Sequence, residues 1–261
     1  MRAASTPLNV FITGASSGLG AALAAHYAAR GAVLGLAARS ADKLAAVAGT
    51  LAIPASVYAL DVANREALAA AAADFAVRHG APDIVIANAG VSAATHGGSA
   101  ADLAVLERIL RTNVTGLAAT LAPFVGPMRE RGSGTLVGIA SVAGFRGLPG
   151  SGGYSASKAA AIAWLEALRV ELHGSGVRVV TVCPGYIATP MTAVNRFHMP
   201  FLLSAEDAAR RIARAIGRGS TLVVLPWQMR PAYFFMRHAP NWLFDRLFAR
   251  APRKPRAPAT P

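Results

Sequence analysis

Short apolar runs rich in β-branched residues alternate along this chain with Ala/Leu-rich amphipathic segments, and that alternation constrains the fold more than any other feature. Repeated strand-then-helix order produces a parallel sheet, because consecutive parallel strands need a crossover that returns to the same edge. Strands are expected near residues 8–13, 32–38, 56–61, 83–88, 134–140, 177–182 and 221–225. Several are almost unbroken apolar runs, such as Ile84-Val85-Ile86-Ala87, as befits strands covered on both faces. Helices are expected near 18–30, 41–48, 64–79, 100–131, 155–173 and 205–217. Ser40, the Asp61–Asn64 segment, Ser99 and Ser204 stand where N-caps are needed.

The expected fold class is α/β: a single Rossmann-type doubly wound parallel sheet of about seven strands with helices on both faces. Composition supports a large core, with 54% apolar and 15% charged residues. Residues 1–227 read as one doubly wound domain. Residues 228–261 form an aromatic and basic appendage whose Pro/Arg/Ala end is expected to be disordered.

A single cysteine, Cys183, excludes a disulfide framework and a Cys-based zinc site, so a reducing, cytoplasmic location is expected. The stretch between Arg2 and Arg30 has no Asp, Glu, Lys or Arg, but its polar Gly-rich run denies it the apolar centre of a signal peptide. The uncharged runs 84–101 and 112–128 are broken by Asn, Gly, Thr or Pro and do not read as membrane spans. Net charge is +13, yet Arg230, Arg237, Arg246, Arg250, Arg253, Lys254 and Arg256 in the appendage face only one acid, Asp245. No nucleic-acid-binding motif accompanies that charge, so no nucleic-acid partner is expected. His96, His173 and His198 have no metal-ligand spacing, and no metal site is expected. Cys183 and Trp164 read as packed core residues.

The first strand runs through Thr13, Gly14, Ala15, Ser16, Ser17, Gly18, Leu19 and Gly20 straight into a helix. In such a turn Gly14 permits the tight bend, Gly18 lets backbone approach a pyrophosphate, and Gly20 permits close packing. The second strand ends at Ala38-Arg39, where NAD-binding sites usually carry an acid for the ribose hydroxyl. An arginine there pairs with a 2′-phosphate, so NADP(H) is preferred, with NAD(H) possible; the bland alternative is a solvated arginine at a strand end. Tyr154 and Lys158, four residues apart at the start of a helix, share one face. A phenol ionises near pH 10, and a neighbouring cation stabilises the phenolate. Bringing that value near neutrality takes about 4 kcal/mol of differential stabilisation.

Together these motifs resemble the short-chain dehydrogenase/reductase family over residues 8–227. Thr13 through Gly20 is similar to the family's cofactor turn, Asp61-Val62 to its adenine contact, and Asn88-Ala89-Gly90 to its sheet-steadying segment. Asn113 matches the family's helix asparagine, and Ser141, thirteen residues before Tyr154, its catalytic serine. Pro184, Gly185, Ile187 and Thr189 match its nicotinamide-side loop. The resemblance implies an oxidoreductase interconverting a carbonyl and an alcohol. Tyr154 would be acid–base, Ser141 would hold the substrate oxygen, and Lys158 would hold the nicotinamide ribose and depress the phenol's pKa. Asn113 would anchor a water leading to Lys158, and Thr189 would orient the carboxamide.

The variable loops 93–98, 142–153 and 186–203 carry Val142, Phe145, Leu148, Tyr186, Met191, Phe197, Met199 and Phe201, with Arg146 and Arg196 among their few charges. They point to a mainly apolar substrate. The resemblance also implies dimers or tetramers, often through helices 100–131 and 155–173, and an appendage that obstructs a second interface makes a homodimer the expectation. Two other readings keep the fold: a catalytically silent cofactor sensor, against which the intact Ser141/Tyr154/Lys158 set speaks, and a membrane-peripheral protein. The second rests on Trp227, Tyr233, Phe234, Phe235, Trp242, Phe244 and Phe248 among arginines, compatible with membrane contact through 228–256. Packing of 228–248 on its own subunit, over the substrate entrance or a second subunit interface, is the favoured expectation.

Overall fold

A computed structural model describes residues 7–251. The expected disordered end, and Arg253, Lys254 and Arg256 with it, lie outside the described residues.

The apolar runs become seven strands: β1 (Asn9–Thr13), β2 (Val33–Ala38), β3 (Ala55–Ala59), β4 (Ile84–Ala87), β5 (Gly134–Ile139), β6 (Val177–Pro184) and β7 (Leu222–Leu225). They form one sheet in the order β3-β2-β1-β4-β5-β6-β7. Every pairing is parallel, with Ile12 opposite both Leu36 and Ile86 at the centre. The order reverses between β1 and β4, which opens a crevice at the carboxyl ends of those strands.

Alternate strand residues feed two cores on opposite faces. Val10, Ile12, Leu34 and Leu36 pack on one side with Leu23 of α1 (Gly18–Ala28), Leu44 of α2 (Ala41–Gly49) and Ile212 of α8 (Ala205–Gly217). On the other side Phe11, Val85 and Leu136 meet Phe75 of α3 (Arg65–His79), Leu121 of α5 (Gly116–Arg131) and Leu165 of α6 (Gly152–Glu171). Phe11 sits within 5.7 Å, centroid to centroid, of the rings of Tyr58, Phe75 and Phe124. Gly35 makes room for this cluster, since a Cβ there would lie 2.6 Å from the Phe11 ring. Phe11→Ala would cost about 3–5 kcal/mol.

Ser40, Asn64 and Ser204 cap α2, α3 and α8 through their side chains, whereas Ser99 makes no such bond. The expected single helix over 100–131 is subdivided. A 3-10 turn (Ala100–Asp102) leads into α4 (Leu103–Leu110), and a π-helical turn (Arg111–Thr115) separates α4 from α5. The sequence period does not announce that wider turn, and it carries Asn113. Three further helices follow the sheet's later strands: the short α7 (Pro190–Ala193), then α9 (Met229–His238) and α10 (Asn241–Phe248) in the appendage.

Candidate active site

The turn after β1 is held open by backbone sterics. Gly14 has φ +67° and Gly18 φ +52°. A Cβ on Gly14 would come within 2.7 Å of Ala89 Cα, and one on Gly20 within 2.1 Å of the Gly14 carbonyl oxygen. Gly20 therefore packs the first turn of α1 on the turn itself, not only on the strand. Asn88 Nδ2 donates to the carbonyls of Thr13 and Gly14, each at 3.1 Å. Thr13 Oγ1 accepts from the backbone N–H of Asn88 at 3.3 Å and of Ala89 at 3.4 Å. The two strand ends flanking the crevice are thus locked together. Ser17 caps α1 without a side-chain hydrogen bond, and no acid occupies the first turn, leaving a helix end suited to an anion. Across the crevice, Thr189 lies so close to Gly18 that a Cβ on the glycine would be 2.9 Å from Thr189 Cγ2.

A cavity of about 650 Å³ follows the strand ends. Gly14, Ser16, Ser17, Gly18, Leu19, Arg39, Asp61, Val62, Asn88, Ala89, Gly90, Ser141, Tyr154, Lys158, Pro184, Gly185, Ile187 and Thr189 all line it. Thr13, Gly20 and Asn113 stand behind these residues as supports, not in the wall. Sequence reasoning missed Lys43, which lines the same end as Ala38, Arg39 and Ser40. Its signal was available: Lys43 follows Ser40 by three residues, and Ser40 Oγ caps the Lys43 N–H at 3.4 Å. Asp61 turns one carboxylate oxygen to the Ala63 N–H at 2.9 Å. The pocket thus carries two cations at one end and no acid after β2.

The other end holds the chemistry. Ser141 is buried and starts a 3-10 turn (Val142–Gly144), accepting from the Ala143 N–H at 3.2 Å and donating to the Pro184 carbonyl at 3.4 Å. Gly144 lets that turn press on α6, since a Cβ there would be 2.7 Å from the Lys158 backbone carbon. Tyr154 sits in the first turn of α6, with Lys158 Nζ 5.8 Å from its ring centroid. Lys158 is buried and donates to the Ile139 carbonyl at 2.7 Å. Burial pulls its pKa down from 10.5 to about 8. Burial pushes the Tyr154 phenol above its ordinary value, while a hydrogen bond with Ser141 acts in the opposite direction. In the protein without cofactor, burial is the larger influence on the phenol, and the Ser141 hydrogen bond opposes it.

Asn113, fully buried, uses both ends of its amide on one residue. Oδ1 accepts from the Val91 N–H at 2.8 Å, and Nδ2 donates to the Val91 carbonyl at 2.9 Å and to Ser157 Oγ at 3.0 Å. The π-helical turn thereby pins the segment after Gly90 to α6. A Cβ on Gly90 would lie 3.3 Å from Asn113 Oδ1 and 3.6 Å from Lys158 Nζ, so the three residues meet at one point.

Two expectations for the variable loops need correcting. Arg146 is not a pocket charge: it donates to the carbonyls of Met236 (3.3 Å) and Ala239 and to Asn241 Oδ1 (2.6 Å), with its guanidinium 4.2 Å from the Phe244 ring centre. Phe145 likewise packs edge-on against Tyr233, and with Val142 and Met229 it joins a small cluster around Cys183, whose thiol burial pushes up to about 12. Met191 does line the cavity, whereas Phe201 is exposed. Thr189 begins α7, its N–H donating to Thr192 Oγ1 at 3.1 Å.

The family model for short chain dehydrogenases matches residues 8–199. An uncharacterized oxidoreductase of Myxococcus xanthus is 41% identical over 90% of this chain and 93% of its own length. A ketoacyl reductase of Nostoc, HetN, is 34% identical over 84% of this chain and 79% of its own. Among solved structures, a short chain dehydrogenase/reductase of Burkholderia phymatum in complex with NAD superposes with a TM-score of 0.81 at 25% identity, covering 96% of this chain and 98% of that one. A Burkholderia cenocepacia short chain dehydrogenase in complex with NADP does so with 0.79 at 26% identity, over 92% and 97%.

Proposed function

The chain belongs to the short-chain dehydrogenase family and is an oxidoreductase; from that premise we propose that it is an NADP(H)-preferring enzyme interconverting an apolar carbonyl and its alcohol. The observation that carries this reading is the distribution of charge along one cavity. Arg39 and Lys43 sit beside Ala38 at one end, and Lys158 alone accompanies Ser141 and Tyr154 at the other. The first pair suits a 2′-phosphate, which an acid after β2 would repel. Near the reacting end the other lining side chains, such as Val91, Ile187 and Met191, carry no charge to recognise an ionic substrate.

The cavity fits a dinucleotide by its glycine cradle, the uncapped start of α1 and its length along the strand ends. Bound there, the nicotinamide cofactor supplies or receives the hydride. Gly14, Ser16, Ser17, Gly18 and Leu19 would hold the pyrophosphate, Asp61 and Val62 the adenine side, and Asn88, Ala89 and Gly90 the crevice floor. Pro184, Gly185, Ile187 and Thr189 would flank the nicotinamide. In reduction Ser141 hydrogen-bonds the substrate oxygen as negative charge grows there, and Tyr154 delivers its proton to that oxygen. Lys158, still largely cationic at neutral pH, stabilises the phenolate left behind and holds the ribose. Asn113 would anchor a water leading to Lys158, and its amide, bonded to Val91 and Ser157, positions the segment beside that lysine.

The same reading makes the molecule a cytoplasmic homodimer joined through α4–α5 and α6, in whose favour stand the exposed Leu103 and Val170 on those helices. Turnover of a panel of aldehydes and ketones with NADPH and with NADH tests the reading. Preference for NADPH by at least about tenfold in kcat/KM is expected, and Ala38→Asp should reverse the order. Equal use of the two cofactors by the parent protein would refute the cofactor assignment. Light scattering of the full chain tests the dimer.

A further inference from the structure

Past β7 the chain does not end but folds back as α9 and α10 against the substrate side of the molecule. Their inner faces are spoken for: Met236 and Phe244 are buried, Tyr233 packs edge-on against Phe145, and Arg146 holds the α9–α10 junction by its carbonyls. A Cβ on Gly185, in the cavity wall, would lie 3.3 Å from Met229 at the start of α9. The outer faces expose large apolar side chains among charged ones. Trp227 is 65% exposed, Phe234 65% and Trp242 69%, with Leu247 at 56%.

Within α9, Arg230, Phe234 and Arg237 recur at four- and three-residue intervals and share one face, and the exposed Trp227 stands in the turn that leads into the helix. Trp242 and Arg246 repeat the pattern on α10. A two-fold contact uses the same patch on both subunits, so burying these rings in a second copy would bring together two faces that each carry Arg230, Arg237 and Arg246. An anionic surface meets both demands at once: hydrocarbon takes the rings, headgroup phosphates take the guanidiniums, and Trp is at home at that boundary. Among the described residues no helix is long and apolar enough to cross a membrane, so the attachment is in the plane of one leaflet.

We propose that the outer face of α9 and α10 docks on an anionic lipid bilayer, so that the apolar carbonyl enters the neighbouring cleft from the lipid phase. The substrate half of this statement rests on the carbonyl-reduction reading; the docking half does not. Flotation of the purified full-length chain with vesicles tests docking, comparing phosphatidylcholine alone with phosphatidylcholine containing about 30 mol % phosphatidylglycerol. The protein floats with the anionic vesicles at low salt and is released at about 0.5 M salt. Two variants, Trp227→Ser/Phe234→Ser/Trp242→Ser and Arg230→Gln/Arg237→Gln/Arg246→Gln, each lower partitioning at least about tenfold. Both retain turnover of a short water-soluble aldehyde, and both lose the rate increase that anionic vesicles give the parent on a long-chain aldehyde.

No flotation of the parent at low salt, or flotation unaltered by either variant, overturns the proposal. So does a triple-serine variant that turns a dimer into a monomer, since the face then belongs to a subunit contact. A chain that floats but reduces no carbonyl leaves docking standing and removes the proposed function; a reductase that does not float does the reverse.

Discussion

Replacing Lys158 with methionine should make the nucleotide-free protein more stable while removing its activity. The side chain is buried, with one backbone carbonyl as its hydrogen-bond acceptor, and burial lowers its pKa from 10.5 to about 8. At about 1.4 kcal/mol per tenfold change in proton affinity, holding the ammonium in the folded state at pH 7 costs roughly 3 kcal/mol. Methionine fills a similar volume without charge, and the Ile139 carbonyl it leaves unpaired returns about 1–2 kcal/mol of that gain. The net gain is about 1–2 kcal/mol, a rise in Tm of a few degrees for a chain of this size. Its pH dependence is the sharper test. Between pH 8 and 10.5 the unfolded chain keeps the Lys158 proton and the folded chain does not, so the parent gains stability as pH rises through that window. The variant, lacking the group, gains nothing from it. Urea unfolding of both proteins at pH 7 and near pH 10 should therefore show the advantage of Lys158→Met present at the lower pH and gone at the higher. A variant less stable than the parent at pH 7, or an advantage that does not change with pH, would refute the reasoning.

Tyr154→Phe should lower kcat by about 10²–10⁴-fold and leave the NADPH Kd within about twofold, as steady-state rates and fluorescence titration will show. Gly20→Ala should weaken NADPH binding by more than tenfold, about 1.4 kcal/mol or more, because its Cβ would overlap the Gly14 carbonyl; calorimetric titration measures this. Arg146→Ala should destabilise α9 and α10 by about 1–3 kcal/mol, read as faster amide exchange over 229–248 with the sheet unchanged.

The sheet could be read almost strand by strand because burial on both faces leaves continuous apolar runs, such as Ile84–Ala87 and the stretch from Val177. The crevice residues were legible for a related reason: turn geometry demands glycine at Gly14, and the tyrosine–lysine spacing fixes one helix face. What escaped depends on contacts between distant segments. The π-helical turn at Asn113 is imposed by bonds to Val91 and Ser157, which no local period encodes. Lys43 reaches the Arg39 end only because α2 starts immediately after β2. Arg146 looked like a substrate-loop charge until the appendage, some ninety residues later, supplied its partners.

The reversal of strand order between β1 and β4 also partitions the chain's capacity to change. Every residue assigned to nucleotide choice, Ala38 through Lys43 with Asp61 and Val62, precedes β4 in sequence, and every residue assigned to the carbonyl, Ser141 and Tyr154, follows it. The two groups line opposite reaches of one cavity, and the described hydrogen bonds between side chains do not link them. Variation in the first segment can exchange one dinucleotide for another while the reacting end keeps its geometry. Variation in the loop after β5 can recruit new carbonyl compounds, whereas the loop after β6 is less free to change, because Gly185, Ile187 and Thr189 also line the nicotinamide end of the cavity. A lineage built on this topology inherits two separately adjustable traits, and recombination at a joint within α3 or α4 would reassort them.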